Sequence, residues 1–268
     1  MRHKPFVVCS THVKAITKNM KRFLLLQLRP EDEVSDDEFE KFLKYGNLSR
    51  DEVHRVRMDQ GHLPDINLDD YSAVIVGGGP DCVSSDESHK SEAQKKYEPW
   101  LHTLLNEITR HDFPYLGCCY GLGALTLNRA GRVSKEKYSE PVHGIDVTLT
   151  EEGGRDPLLA GLPKMFRAFV GHKEACQKLP ESAALLATGE ACPVQMIRMG
   201  KNVYAVQFHP ESDPESFILR VNAYKHLGYF PIEDVQKLIE EIGKETITVP
   251  QEILQRFVER YRRSYARH

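Results

Sequence analysis

Five of the six residues from Phe23 to Leu28 are apolar, with Gln27 the exception, and Pro30 closes the run. A strand carries apolar side chains at successive positions when both of its faces are buried. That requirement disfavours a sheet with one wet face and calls for a layer of helices on each side. The compact texture returns at Ala73–Val76 and Tyr115–Cys118, while Val53–Met58 alternates as a further strand. Helical patterns fall between these strands. Ser35 reads as an N-cap with Glu38 in the capping-box position, followed by Phe39, Phe42 and Leu43 and a stop near Gly46. Trp100, Leu101, Leu104, Leu105 and Ile108 form a stripe on a long helix from Ser91 to Arg110, and Tyr120–Asn128 reads as the next helix. The alternation predicts the α/β class, with a mostly parallel central sheet and helices on both faces. Sites in such sheets lie beyond the carboxyl ends of the strands.

From Gly144 onward the pattern changes to short strands joined by turns: Ile145–Thr150, Phe166–Val170, Ala183–Ala187, Val194–Met199 and Val203–Phe208. The turn Gly200-Lys201-Asn202 joins the last two as a hairpin, so an antiparallel section is expected in the same domain. After Tyr229-Phe230-Pro231, amphipathic spacing of Ile232, Val235, Leu238 and Ile239 predicts one helix, and Pro250–Tyr261 a second. The resulting division is an N-terminal extension over 1–21, a catalytic-type domain over 22–230 and a helical C-terminal appendage over 231–268.

Three function classes are disfavoured by composition. A formal charge of −3 supplies no general attraction to nucleic acid. No apolar run reaches the ~18 residues that suggest a membrane span, and Pro5–Ser10 is too short for a signal-peptide core. The six cysteines lack the spacing of a zinc site or disulfide scaffold, so neither metal nor cofactor is expected. Reduced thiols fit a cytoplasmic protein.

One thiol stands apart. In Phe113-Pro114-Tyr115-Leu116-Gly117-Cys118-Cys119-Tyr120-Gly121, Cys119 falls between a strand and a helix and between two glycines, the setting of a nucleophile elbow. A helix start favours a thiolate through its free N–H groups. Cys118, one residue back on the strand, is expected to face the core. Far downstream, in Gln207-Phe208-His209-Pro210-Glu211, an extended backbone sets residues i and i+2 on one side. Glu211 can then orient His209, with Pro210 holding the segment extended. A thiol, a base and a carboxylate that orients the base make up a nucleophilic triad. The backbone N–H of Tyr120 is a candidate oxyanion donor. Gly77-Gly78-Gly79-Pro80 is not a Walker loop, because no Lys-Ser/Thr follows.

These segments resemble class I glutamine amidotransferases: Pro114-x-Leu116-Gly117-x-Cys119-x-Gly121, the loop Gly78-Gly79-Pro80, and Gln207-Phe208-His209-Pro210-Glu211, in the family's order. The likeness is greatest to the glutaminase portion of GMP synthases, whose nucleophile is also followed by Tyr-Gly, and covers roughly residues 22–215. The resemblance implies the family's flavodoxin-like fold and hydrolysis of the glutamine side-chain amide, with a synthase partner using the ammonia. It also implies Gly79 as the second oxyanion donor and Gly78 and His172 as positions beside the substrate. The last ~38 residues are too few for an ATP-pyrophosphatase domain, so a stand-alone amidotransferase half is expected. One position departs from the family. Four residues after the nucleophile, where a substrate-holding Gln is usual, stands Gly123. A stand-alone γ-glutamyl hydrolase or amidase acting on another γ-glutamyl amide is therefore an alternative to glutamine turnover, and a non-catalytic regulatory subunit is a third reading.

Overall fold

A computed structural model describes residues 20–227 and 230–263, so nearly all of the expected N-terminal extension, and Tyr229, lie outside the described residues. Strands β1 (Arg22–Gln27), β2 (Val53–Arg57), β3 (Tyr71–Val76) and β4 (Tyr115–Cys118) pair in parallel, in the order β2-β1-β3-β4. Strand β11 (Val203–Val206) joins β4, also in parallel. The sheet then continues antiparallel through β10 (Met196–Met199), β9 (Ala183–Gly189), β6 (Glu140–Leu149) and β7 (Met165–His172). The nine strands form one mixed sheet, and β5 (Arg132–Ser134) and β8 (Ala175–Lys178) make a separate two-stranded ribbon. That ribbon has no counterpart in the sequence reading, because strands of three and four residues carry too little periodicity to register.

Alternate side chains of the parallel strands feed two cores, as the period of a pleated strand requires. Phe23, Leu25, Ala73, Ile75, Leu116 and Cys118 point to one face, where helix α1 (Asp32–Gly46) contributes Phe39, Phe42 and Leu43. Leu24, Leu26, Val74, Val76 and Tyr115 point to the other, under helix α2 (Glu92–Arg110) and helix α3 (Tyr120–Asn128). Cys118 is fully buried, as its place in the strand alternation predicts. Short helix α4 (Glu151–Arg155) follows β6, and helix α5 (Pro214–Tyr224) begins at an Asp213 cap.

The C-terminal helices share these cores. In helix α7 (Val249–Tyr261), Ile253, Leu254, Phe257 and Val258 are buried within the α1-side core. Helix α6 (Val235–Ile242) packs Leu238 and Ile242 against Phe169, Phe217 and Val221. The expected boundary at residue 230 therefore runs through a packed unit.

Ser35 is not an N-cap. Helix α1 starts at Asp32 after Glu31, and acidic Asp32 and Glu33 occupy its first turn, where the helix dipole favours negative charge. Ser35 is buried and its hydroxyl accepts from Arg55 at 2.9 Å. Glu38 is equally buried and is drawn inward by Arg29 rather than back to a capping box.

Candidate active site

Three strand ends meet at the site: β1 running into Arg29, β3 into Gly77-Gly78-Gly79, and β4 into Cys119. Cys119 has φ 49° and ψ −95°, a conformation that residues bearing a Cβ seldom adopt, and α3 begins at the next residue. Its N–H donates to the Val206 carbonyl at 2.8 Å, tying the bend to β11. A Cβ at Gly117 would stand 2.6 Å from the Tyr115 hydroxyl and 2.7 Å from the Gly121 carbonyl carbon, so a side chain there would prevent the turn from closing. The same Tyr115 hydroxyl donates to the Gly121 carbonyl at 3.0 Å.

His209 lies just beyond β11 and is 4% exposed, with its backbone N–H on the Phe169 carbonyl at 3.1 Å. Its Nδ1 is 3.0 Å from Glu211 Oε1, a carboxylate contact that favours the proton on Nδ1 and leaves Nε2 with a free lone pair. Glu211 is fully buried and also meets Arg220 of α5 at 2.9 Å. Arg220 in turn donates to the Ser212 hydroxyl at 2.5 Å.

Gly78 brings the two halves together. A Cβ built there would lie 2.6 Å from His209 Cε1 and 3.3 Å from Cys119 Cβ. Those two atoms are therefore no more than about 6 Å apart, with only a glycine between them. Gly79 and Tyr120 line the cleft beside Cys119 together with Gly123, Glu174 and Gln207. As the first residue of α3, Tyr120 has an N–H without an acceptor inside the helix. Its side chain is anchored away from the cleft, donating to Glu98 at 2.9 Å.

Burial dominates the electrostatics. It pushes the Cys119 thiol up to about 12, opposed by the Arg29 charge and reinforced by Glu174. Burial also lowers His209 from its ordinary value; Glu211 opposes this and the Arg220 and Arg29 charges add to it. For Glu211, burial works toward the neutral acid, but His209 and Arg220 overcome it and hold the carboxyl well below the usual range. At neutral pH the resting partners are thus a thiol, a neutral imidazole and a carboxylate.

The substrate-side expectations take a different shape. His172 has both ring nitrogens engaged, Nε2 with Glu140 at 2.7 Å and Nδ1 with the Glu174 carbonyl at 2.8 Å. It stands in the wall of the cleft as part of a buried polar cluster. At Gly123 a Cβ would meet Val83 Cγ2 at 3.0 Å, so Val83 occupies space that a longer side chain would need. Glu174 fixes Val83 in place, accepting from the backbone N–H groups of Val83 at 2.6 Å and Ser84 at 2.9 Å.

Among the described residues, Glu140, His172 and Cys192 are grouped closely enough to hold a metal ion. Their polar atoms are already used, since Gln195 donates to the same Glu140 oxygen at 2.7 Å that His172 meets. Sequence reasoning passes over Arg29 and Arg220 and gives Glu38 a capping role instead of a buried ion pair. The signal available for Arg29 is its place directly after an apolar strand, at the carboxyl end where sites form.

The chain belongs to the class I glutamine amidotransferases: the family Glutamine amidotransferase class-I matches residues 36–222. It is 34% identical to a subunit of the glutamine-hydrolyzing GMP synthase of Thermoplasma volcanium over 179 residues, 66% of this chain and 80% of that protein. It is 36% identical over 141 residues to a glutamine-hydrolyzing GMP synthase of Thermosipho melanesiensis, covering 52% of this chain. The match spans about a quarter of that longer protein, 24% of its length. In fold it is similar to a glutamine amidotransferase from Thermotoga maritima, with TM-score 0.70, 22% identity and coverage of 90% of this chain and 98% of the other. Among the described residues no helix is long and apolar enough to cross a membrane.

Proposed function

We propose that the protein hydrolyses the side-chain amide of L-glutamine through a Cys119–His209–Glu211 triad and supplies the ammonia to a synthase partner. The observation that carries this reading is the convergence on Gly78, where the Cys119 β-carbon and the His209 ring flank one glycine while Glu211 holds the far side of the ring. Cys119 Sγ attacks the carboxamide carbon as His209 Nε2 takes the thiol proton. The Tyr120 and Gly79 N–H groups receive the oxyanion. His209 then gives the proton to the departing nitrogen, the C–N bond breaks, and a γ-glutamyl thioester and ammonia result. Water, deprotonated by His209, cleaves the thioester to glutamate and restores the thiol. Glu211 keeps Nδ1 protonated and balances the imidazolium throughout. No cofactor takes part in these steps.

Glutamate release by Cys119→Ala and Cys118→Ala tests the assignment. Loss in the first with retention in the second supports it, and full activity in Cys119→Ala refutes it. A second reading, hydrolysis of other γ-glutamyl amides, is favoured by one observation: Val83 fills the space beside Gly123. Comparing turnover of glutamine with that of γ-glutamyl alkylamides separates the two.

A further inference from the structure

Two full charges are buried where the strand β1 ends. Arg29 is 3% exposed and Glu38 is 0% exposed. Arg29 Nε lies 2.6 Å from Glu38 Oε1, and Nη1 donates to the Tyr224 hydroxyl at 3.3 Å. Glu38 Oε2 also accepts from Gln27 at 2.9 Å. Burying such a pair is an expensive way to stabilise a fold, since apolar residues of similar size often serve as well or better. Its position suggests another use. A Cβ at Gly77 would stand 2.9 Å from Glu38 Oε2, and one at Gly78 would stand 3.3 Å from Arg29 Nη2. The second point is the same one that faces His209 Cε1 and Cys119 Cβ. The glycine loop thus lets the guanidinium approach the reacting pair, with Nη2 within about 7 Å of the Cys119 β-carbon.

We propose that Arg29 is a positioning residue of the reaction, a fixed positive charge, anchored by Glu38 and Tyr224, that stabilises the ionised Cys119 sulfur. This rests on Cys119 being the nucleophile. Other charged or titratable groups face that sulfur from every side: His209 and Glu211 from the turn after β11, Glu174 from the β7–β8 turn, and Asp81 and Cys82 from the loop after β3. Glu174, Cys82 and Glu211 all disfavour a thiolate; Arg29 opposes them, and Lys173 lines the same cleft on the Glu174 side. Arg220 is occupied with Glu211 on the far side of the imidazole. Arg29 also lowers the basicity of His209, so it favours the ionised sulfur while opposing the imidazolium, which Glu211 balances.

The test is the rate at which iodoacetamide alkylates Cys119 between pH 7 and 9.5, read by peptide mass spectrometry on the full chain. A unit charge at about 7 Å with an effective dielectric near 20 shifts a thiol by roughly 1–2 pH units. Arg29→Met should therefore slow alkylation at pH 8.5 about ten- to a hundredfold, and Arg29→Lys should restore it to within about threefold. Because Arg29→Met leaves Glu38 buried alone, Arg29→Met/Glu38→Gln removes both charges; it should be slowed in the same direction but by less, since the opposing Glu38 charge is gone too. Wild-type rates in the neutral variant that folds, or Arg29→Lys as slow as that variant, would overturn the proposal. Alkylation needs no turnover, so this outcome is independent of whether Cys119→Ala abolishes glutaminase activity.

Discussion

Adding a single methyl group at Gly78 should disable the enzyme while leaving it folded. In Gly78→Ala the new carbon would stand 2.6 Å from His209 Cε1, whereas carbon atoms normally rest about 3.5–4.0 Å apart. One partner must give way by about 1 Å. The imidazole is poorly placed to do so, because Glu211 holds Nδ1, the Phe169 carbonyl holds the backbone and the Phe217 ring lies 5.8 Å away centre to centre. A displacement of that size at a reacting group costs on the order of 10²-fold in rate. Overpacking of this kind costs about 1–3 kcal/mol of stability, which leaves most of a domain's margin intact. Glutamate release under saturating glutamine gives kcat, and a thermal melt confirms the fold. A folded Gly78→Ala protein with wild-type kcat would mean that His209 need not occupy its observed place, and the proposed chemistry would fail with it.

Four further outcomes follow from the same structure. Because His209 is held below its ordinary 6.5, the unfolded chain binds the extra proton first; stability should fall as pH drops through 6.5, while activity persists until His209 itself protonates at lower pH. Glu211 contributes stability above its ordinary 4.5 that disappears as pH falls further, so urea midpoints should decline in two stages that Glu211→Gln alters at the acid end. Gly123→Gln alone should be strained against Val83, whereas Gly123→Gln/Val83→Ala should relieve the strain and lower KM for glutamine, measured by steady-state kinetics. Phe257→Ala should cost about 3–5 kcal/mol in denaturant unfolding, because α7 is part of the main core; a loss under ~1 kcal/mol would show the helix to be peripheral.

Much of the fold can be read from residue order. Tyr115–Cys118 and Tyr120–Asn128 have the bounds that the sequence predicts, because an apolar strand and a helix meet at an abrupt glycine-flanked turn. The start of α1 is misread since Ser35 and Glu38 have the spacing of a capping box, a pattern that local sequence cannot distinguish from a buried hydrogen-bond network. Arg29 and Arg220 are illegible for a related reason. In sequence they resemble ordinary solvated charges, and their burial arises only when α1 and α5 close over the same sheet end. Val83 at Gly123 is a contact between distant segments that no periodicity records.

The most direct measurement is to trap the acyl-enzyme. Acid quenching during glutamine turnover, followed by peptide mass spectrometry, should find a γ-glutamyl group in thioester linkage on Cys119, accumulating in Glu211→Gln if deacylation slows more than acylation. The same peptide should carry the label after treatment with a glutamine-analogue diazo ketone, and Cys118 should stay unmodified. Ammonia release with the adduct on another residue, or with Cys119 replaced by alanine, would contradict the account.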